Sequence, residues 1–421
     1  MVPNGWNRIA LEKIAEVRSG VAKGKKGLKA PIEVPYLRVA NVQDGHVDLT
    51  EVKTIEIEQD KLERYSLKYG DVLMNEGGDY DKLGRGDVWL GQIEPCLHQN
   101  HVFAVRPNRD IIDSFFLAAL AASNYGKTYF LSCAKRSTNL ASINSTQIKE
   151  FPVLVPPLPE QKKVAQILST WDKAISTTEQ LLANSQQQKK ALMQQLLTGK
   201  KRLGMLTESY GFQKTRYGTI PKDWEYPAIK DVCTQVTEKN TDSADYPVLS
   251  CSKYDGFVDS LKYFKKKVYS DDTSGYRLIH RGCFGFPSNH VEEGSIGIQN
   301  LYDTGIVSPI YVVFRAQPKK VDNTYLYAVL KTDHYRQIFG AATNASVDRR
   351  GSLRWKEFSL IHVPLPPLEE QQRIAAVLSS ADQEISTLQQ KLDALKQEKK
   401  ALMQQLLTGK RRVKIDDKEA A

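Results

Sequence analysis

Cys96, His98 and His101, in the run Cys-Leu-His-Gln-Asn-His, are the first residues whose types could do chemistry. Thiolate and imidazole are zinc ligands, but a zinc site takes four protein ligands, or three and a water. This run offers three, Cys283 and His290 do not repeat its spacing, and an alternating apolar stretch follows at once. The plainer expectation is the start of a strand with polar edge residues. A nucleotide-binding loop needs Gly-x4-Gly-Lys-Ser/Thr, and Gly20-Val-Ala-Lys-Gly-Lys-Lys-Gly27 has the wrong spacing. Asp48 with Glu51-Val-Lys53 is too compact for a metal-dependent nuclease, and Glu160-Gln-Lys162 reads as a helix cap. A methyltransferase acting on a base nitrogen would show Asn/Asp-Pro-Pro-aromatic. Both Pro-Pro pairs here, at 156–157 and 366–367, lead into leucine. No Ser/His/Asp set follows from spacing, so the expectation is a chain with no catalytic residues, no metal and no cofactor of its own.

Basic loops offer a different chemistry. Lys23, Lys25, Lys26 and Lys29 share a Gly-punctuated stretch, Lys265–Lys267 form a second cluster, and Arg349, Arg350, Arg354 and Lys356 a third. Lysines on such loops suit phosphate contact, and Arg, Asn and Gln beside them can read base edges. The overall charge of +10 is a weaker sign of a nucleic-acid partner. It splits as +1 over 1–155, +5 over 156–206, +3 over 207–365 and +1 over 366–421, so one helical segment holds half of it.

The elements that must position these loops come from an internal repeat. Residues 156–202 recur at 366–412 with an offset of 210, no gap and 28 of 47 positions identical. The run Lys-Lys-Ala-Leu-Met-Gln-Gln-Leu-Leu-Thr-Gly-Lys is unchanged between the copies, at 189–200 and 399–410. Ile374, Leu378, Ala381, Ile385, Leu388, Leu392, Leu395, Leu402 and Leu406 follow a 4-3 spacing, with Lys399 filling one slot. The first copy keeps the register through Val164, Leu168, Trp171, Ile175, Leu182, Leu192 and Leu196, with polar slots at Thr178, Ser185 and Lys189. Sustained heptads predict a coiled coil, and two seams on one chain predict that they pack on each other. A helix of about 38 residues would be roughly 57 Å long.

The blocks between are different. Short β-type runs at Val34–Val39, Asp71–Met74, His101–Arg106, Tyr246–Ser250 and Ile310–Phe314 are bounded by Gly, Asn and Asp, and helices are expected at Ser114–Ala122 and Thr324–Thr332. Weak echoes connect the blocks: Pro3 and Trp6 answer Pro221 and Trp224, and Lys149-Glu-Phe151 answers Lys356-Glu-Phe358. Each block is therefore expected to be an α/β or α+β domain on a shared frame. Hydrophobic content of 41% and charged content of 26% fit a globular chain, and no apolar run approaches the roughly 18 residues of a membrane span. Five scattered cysteines and an opening segment without an apolar signal core make the cytoplasm the expected compartment.

The doubled Pro-Pro-Leu-x-Glu-Gln start (156–161, 366–371), the long helix behind it and the Leu-Leu-Thr-Gly-Lys exit (196–200, 406–410) resemble one family over the whole chain. It is the DNA specificity subunit of type I restriction–modification systems. The resemblance implies a non-catalytic subunit with a target recognition domain at 1–155, a central helical spacer at 156–202, a linker and second recognition domain at 203–365, a distal spacer at 366–412 and a tail at 413–421. It further implies that each recognition domain reads one half of a bipartite double-stranded DNA site, while antiparallel helices set the gap. Two methyltransferase subunits would bind around them, restriction and translocase subunits can join, and S-adenosylmethionine, ATP and Mg would reside on those partners. By residue type and loop position, the expected DNA contacts are Lys25, Lys26, Arg38, Asn75 and Arg85 in the first block, and Lys266, Asn289, His290, Arg349 and Arg350 in the second. The competing reading is a coiled-coil scaffold that presents two protein-binding domains.

Overall fold

Both repeat segments are helical for 39 residues, Leu158–Leu196 and Leu368–Leu406. The computed structural model describes the chain except residues 1, 24–26, 79–82, 85, 137–140, 204–210, 242–243, 290, 344–351 and 416–421. The chain divides into two compact units, Met1–Glu179 with Gln390–Ala421, and Gln180–Gln389. Each long helix changes unit near its midpoint, so each unit owns one half of both.

Within each unit the two helix halves run antiparallel. In the first, Lys399 pairs with Asp172 and Lys396 Nζ lies 2.7 Å from Glu179. In the second, Lys189 pairs with Asp382 and Ser185 Oγ donates to Glu384 Oε1 at 3.1 Å. Lys189 and Lys399 are polar slots in their seams. They occupy equivalent repeat positions, and each finds an aspartate across its seam.

The α/β portion of the first unit is built around an antiparallel sheet of Ala15–Ser19, Val102–Pro107 and Val72–Asn75, with Val105 opposite both Val17 and Val72. Asp113 then caps helix Ser114–Ala122, its carboxylate accepting from Phe116 N at 2.9 Å. The second unit repeats the step. Tyr311–Ala316 lies between Cys233–Val236 and Phe284–Pro287, and Asp322 caps helix Asn323–Leu330. The expected strands therefore occur within one to three residues of their places. The helices Asn124–Cys133 and Asp333–Ala342 were not anticipated. Their caps, Ser123 and Thr332, sit only one or two residues beyond the preceding helices, which hides the break in a continuous polar–apolar mixture.

Conserving the same spacing twice has a packing reason. Leu406 and Leu407 join Val164, Leu168 and Trp6 in the core of the first unit, and Leu196 and Leu197 join Ile374 and Leu378 in the second. Gly199 and Gly409 end the helices with φ of +67° and +66°. A Cβ there would lie 2.3 Å from Pro221 or 2.4 Å from Pro3, so glycine is required for both conformation and space.

The Pro-Pro-Leu-x-Glu-Gln motif is equally structural. Gln161, fully buried, accepts from Asp113 N at 2.7 Å and donates to Ile111 O and Pro156 O at 2.9 and 2.8 Å. Gln371 makes the matching bonds to Asp322 N, Lys320 O and Pro366 O. Glu160 is not a helix cap, as its position suggested. Its carboxylate accepts from Arg412 and from the Trp6 indole instead. Gln161→Leu leaves one buried and two part-buried backbone groups unpaired, and we expect a loss of about 2 kcal/mol confined to the first unit. Hydrogen exchange in Ser114–Ala122 reads this directly, and unchanged protection there would contradict the role given to Gln161.

Candidate nucleic-acid interface

Recognition needs loops held still by a rigid frame. One corner of each unit meets that requirement in the same way. In the first unit, strand Val72–Asn75 runs into Gly77–Gly78, which pairs with Ala141–Ser142, and Ile143 N donates to Glu76 O at 2.8 Å. In the second unit, Phe284–Pro287 runs into Ser288-Asn289, and Leu353 N donates to Ser288 O at 2.7 Å. The connection after Val72–Asn75 or Phe284–Pro287 thus rests against the chain that enters the last short helix, Ser145–Lys149 or Trp355–Phe358. The frame is shared, while Glu-Gly-Gly in one unit stands against Ser-Asn in the other.

The expected DNA contacts fall on this frame unevenly. Lys25, Lys26, Arg85, His290, Arg349 and Arg350 lie outside the described residues. Lys266 is exposed on the turn after helix Ser260–Phe264. Asn289 is half-buried at the corner, and its side-chain oxygen is enclosed with no hydrogen-bond partner among the described residues. Arg38 is engaged within its own connection: Nη2 lies 3.4 Å from Glu51 O and 3.6 Å from the Glu51 carboxylate. Asn75 requires correction. It is 1% exposed, and its amide donates to Val42 O at 2.8 Å, so it ties strand Val72–Asn75 to the short strand Val42–Gln43 and is not an exposed base reader.

The Cys-x-His-x2-His run is also corrected. Cys96 and His98 are buried rather than exposed polar residues, and His98 belongs to the short strand Leu97–His98 at the border of its sheet. Burial pushes the Cys96 thiol up to about 12 and the His98 imidazole down to about 4. His98 Nδ1 lies 2.6 Å from Val102 O, and a carbonyl can only accept, so Nδ1 carries the proton. His101 is exposed and pairs with Glu76. Among the described residues, no group of three or more His, Cys, Asp or Glu side chains is arranged to hold a metal, and no helix is long and apolar enough to cross a membrane. Near the first corner, Asp87 is raised by burial and by the charge of Asp172.

Aromatic residues interspersed with lysines at 253–269, including Tyr254, Tyr263 and Phe264, are exposed, which residue type alone did not signal. The signal was the mixture itself. Exposure was not legible, because aromatic residues in a β-rich block usually belong to the core.

Two units of one α/β frame, each fused to halves of two long antiparallel helices and differing at a matched loop corner, define a modular recognition protein with an internal repeat. The chain belongs to the type I restriction modification DNA specificity domain family, whose family model matches residues 3–184 and again 221–397. It is 28% identical over 98% of its length, and 95% of the relative's, to a protein of Methanocaldococcus jannaschii assigned as the MjaX type I restriction enzyme specificity subunit. The MjaVIII specificity subunit of the same organism is 25% identical over 98% of this chain and 94% of that one. The crystal structure of the S subunit of a type I restriction–modification system from M. genitalium shares the fold, with a TM-score of 0.57 at 12% identity over 99% of both chains.

Proposed function

We propose that this chain is the non-catalytic DNA specificity subunit of a type I restriction–modification complex. Residues 1–155 and 203–365 each read one half of a bipartite DNA site, and the helical segments 156–202 and 366–412 set the gap and dock two methyltransferase subunits. Those partners carry S-adenosylmethionine, and restriction subunits with ATP and Mg join the same assembly in the cytoplasm. One observation carries the reading: the packing motif of the frame is repeated residue for residue, while the loops at the matched corners differ. A shared frame with unlike readers suits a DNA site made of two unlike halves, each resting on a few base contacts worth about 1–3 kcal/mol against a wrong base.

Replacing residues 203–365 with the corresponding block of another family member tests this. Methylated adenines mapped in cells that also hold the methyltransferase partner should form a bipartite motif, and the exchange should change one half and leave the other. A change in both halves contradicts independent readers. Methylation that is indifferent to this chain favours a protein-binding scaffold.

A further inference from the structure

The second unit exposes aromatic side chains among lysines, and the reading above gives them no task. The hairpin of Leu249–Ser252 and Gly256–Asp259 turns at Lys253-Tyr254-Asp255, and Tyr254 is 83% exposed. Helix Ser260–Phe264 follows at once, with Leu261, Tyr263 and Phe264 also exposed. Tyr263 OH donates to Asp255 Oδ2 at 3.0 Å, and Ser252 Oγ donates to the same oxygen at 3.0 Å, so turn and helix form one surface. The Tyr263 and Phe264 rings meet edge to face at 5.1 Å. From beneath, Lys331 Nζ donates to Lys253 O at 2.8 Å and to Gly294 O at 2.9 Å, which fixes the turn to the body of the unit. The turn that carries Tyr254, and the Tyr263 and Phe264 rings, are held in place before any partner arrives.

Charge selects the partner. Lys265 ends the helix in a left-handed conformation, φ +53°, and Lys265, Lys266 and Lys267 are all exposed beside the rings. Lys262 is anchored to Tyr302 OH at 3.1 Å and pairs with Asp259 at 3.6 Å, and Lys267 pairs with Asp271. Protein–protein interfaces are depleted in lysine, whereas duplex DNA asks for cations on its phosphates and accepts apolar wedges at base steps or against thymine methyl groups. The first unit spends its extra length elsewhere. Fifteen residues, 38–52, separate Pro31–Leu37 from Lys53–Glu58, where the second unit has the three-residue turn 253–255.

We propose that residues 253–268 form a DNA wedge particular to the second unit, in which Tyr254 and Phe264 press on base pairs while Lys265 and Lys266 hold flanking phosphates. The proposal rests on the reading of the chain as a DNA specificity subunit. Its test uses the assembled complex with methyltransferase subunits and the motif mapped for the unaltered chain. Tyr254→Ala with Phe264→Ala should weaken binding to that motif by about tenfold or more and relax base preference in one half-site only. Tyr254→Phe should behave as the unaltered chain. Lys265→Ala with Lys266→Ala should weaken binding to every sequence alike and reduce the salt slope by about 2. Unchanged affinity and methylation pattern in the aromatic double variant overturns the wedge. So does unchanged DNA affinity with loss of methyltransferase assembly, which would make the surface a protein dock. If the unaltered complex marks no bipartite motif, the specificity-subunit reading itself falls, and the wedge falls with it.

Discussion

Arg202→Ala should destabilise the second unit by about 3–5 kcal/mol, the scale for stranding a buried charge. The Arg202 side chain is fully buried. Its Nε and Nη2 donate to the two Glu370 oxygens, both at 2.6 Å, and Nη1 and Nη2 donate to Asp223 at 2.9 and 2.8 Å. The guanidinium also lies 5.4 Å from the Trp224 ring. Burial opposes its charge, but the hydrogen bonds it donates to both carboxylates outweigh burial and hold its pKa well above the usual range. Removing the arginine leaves Glu370 charged and buried with no counter-ion. Arg202→Met combined with Glu370→Gln should recover part of the loss, because the buried charge is then gone and the charge left on Asp223 sits on a side chain that is 41% exposed. Hydrogen exchange around Ile229–Val232 and the end of the first long helix measures this within one unit, where a whole-chain melt would mix two transitions. A loss below about 1 kcal/mol for Arg202→Ala would refute the clasp as a stabilising element.

The first unit provides an internal control. Arg412 donates to Glu160 at 2.6 and 2.7 Å and lies over Trp6, but its side chain is 45% exposed. Gly5 precedes Trp6 where Asp223 precedes Trp224, so the second carboxylate is missing. The matching Arg412→Ala change should therefore cost less than Arg202→Ala.

Acid should weaken the first unit through His98. Its imidazole is 2% exposed, and burial lowers its pKa from 6.5 to about 4, partly offset by the bond to Val102 O and by Asp71. A histidine held neutral in the folded unit binds its proton more readily once unfolded. Its contribution is therefore complete above about pH 6.5 and is lost as pH falls through about 4, up to about 3 kcal/mol in all. Exchange protection of strand Val102–Pro107 should fall over that window, and His98→Gln should flatten the fall while preserving a donor to Val102 O. The same pH dependence in both chains would remove His98 from the account. Asp71, bound by Arg106 Nε at 2.8 Å and Nη2 at 2.7 Å, lies close by, so the comparison with His98→Gln is what isolates the imidazole.

Much of the frame is legible in the sequence because its causes are local and periodic. Heptad spacing, a proline pair at the start and a glycine at the end define the long helices without reference to anything distant. Alternation and turn residues likewise place the sheet strands to within a few positions. The candidate interface was less legible. Residue type made Asn75 a candidate base reader, yet a strand whose four residues are all buried carries it into the core. Residue type also left Tyr254 unremarked, and a hairpin tip exposes it.

The clasp marks the boundary most sharply. By itself the sequence determined that Glu160 and Arg202 belong to one copy of a repeat, and Glu370 and Arg412 to the other. Proximity along the chain would pair them within each copy. The folded units pair them crosswise, Glu160 with Arg412 and Glu370 with Arg202, because antiparallel packing brings the start of one helix beside the exit of the other. Periodicity is a property of neighbouring residues and survives in the sequence. Which ends meet, and which side chains that meeting buries, depends on packing between segments up to 252 residues apart.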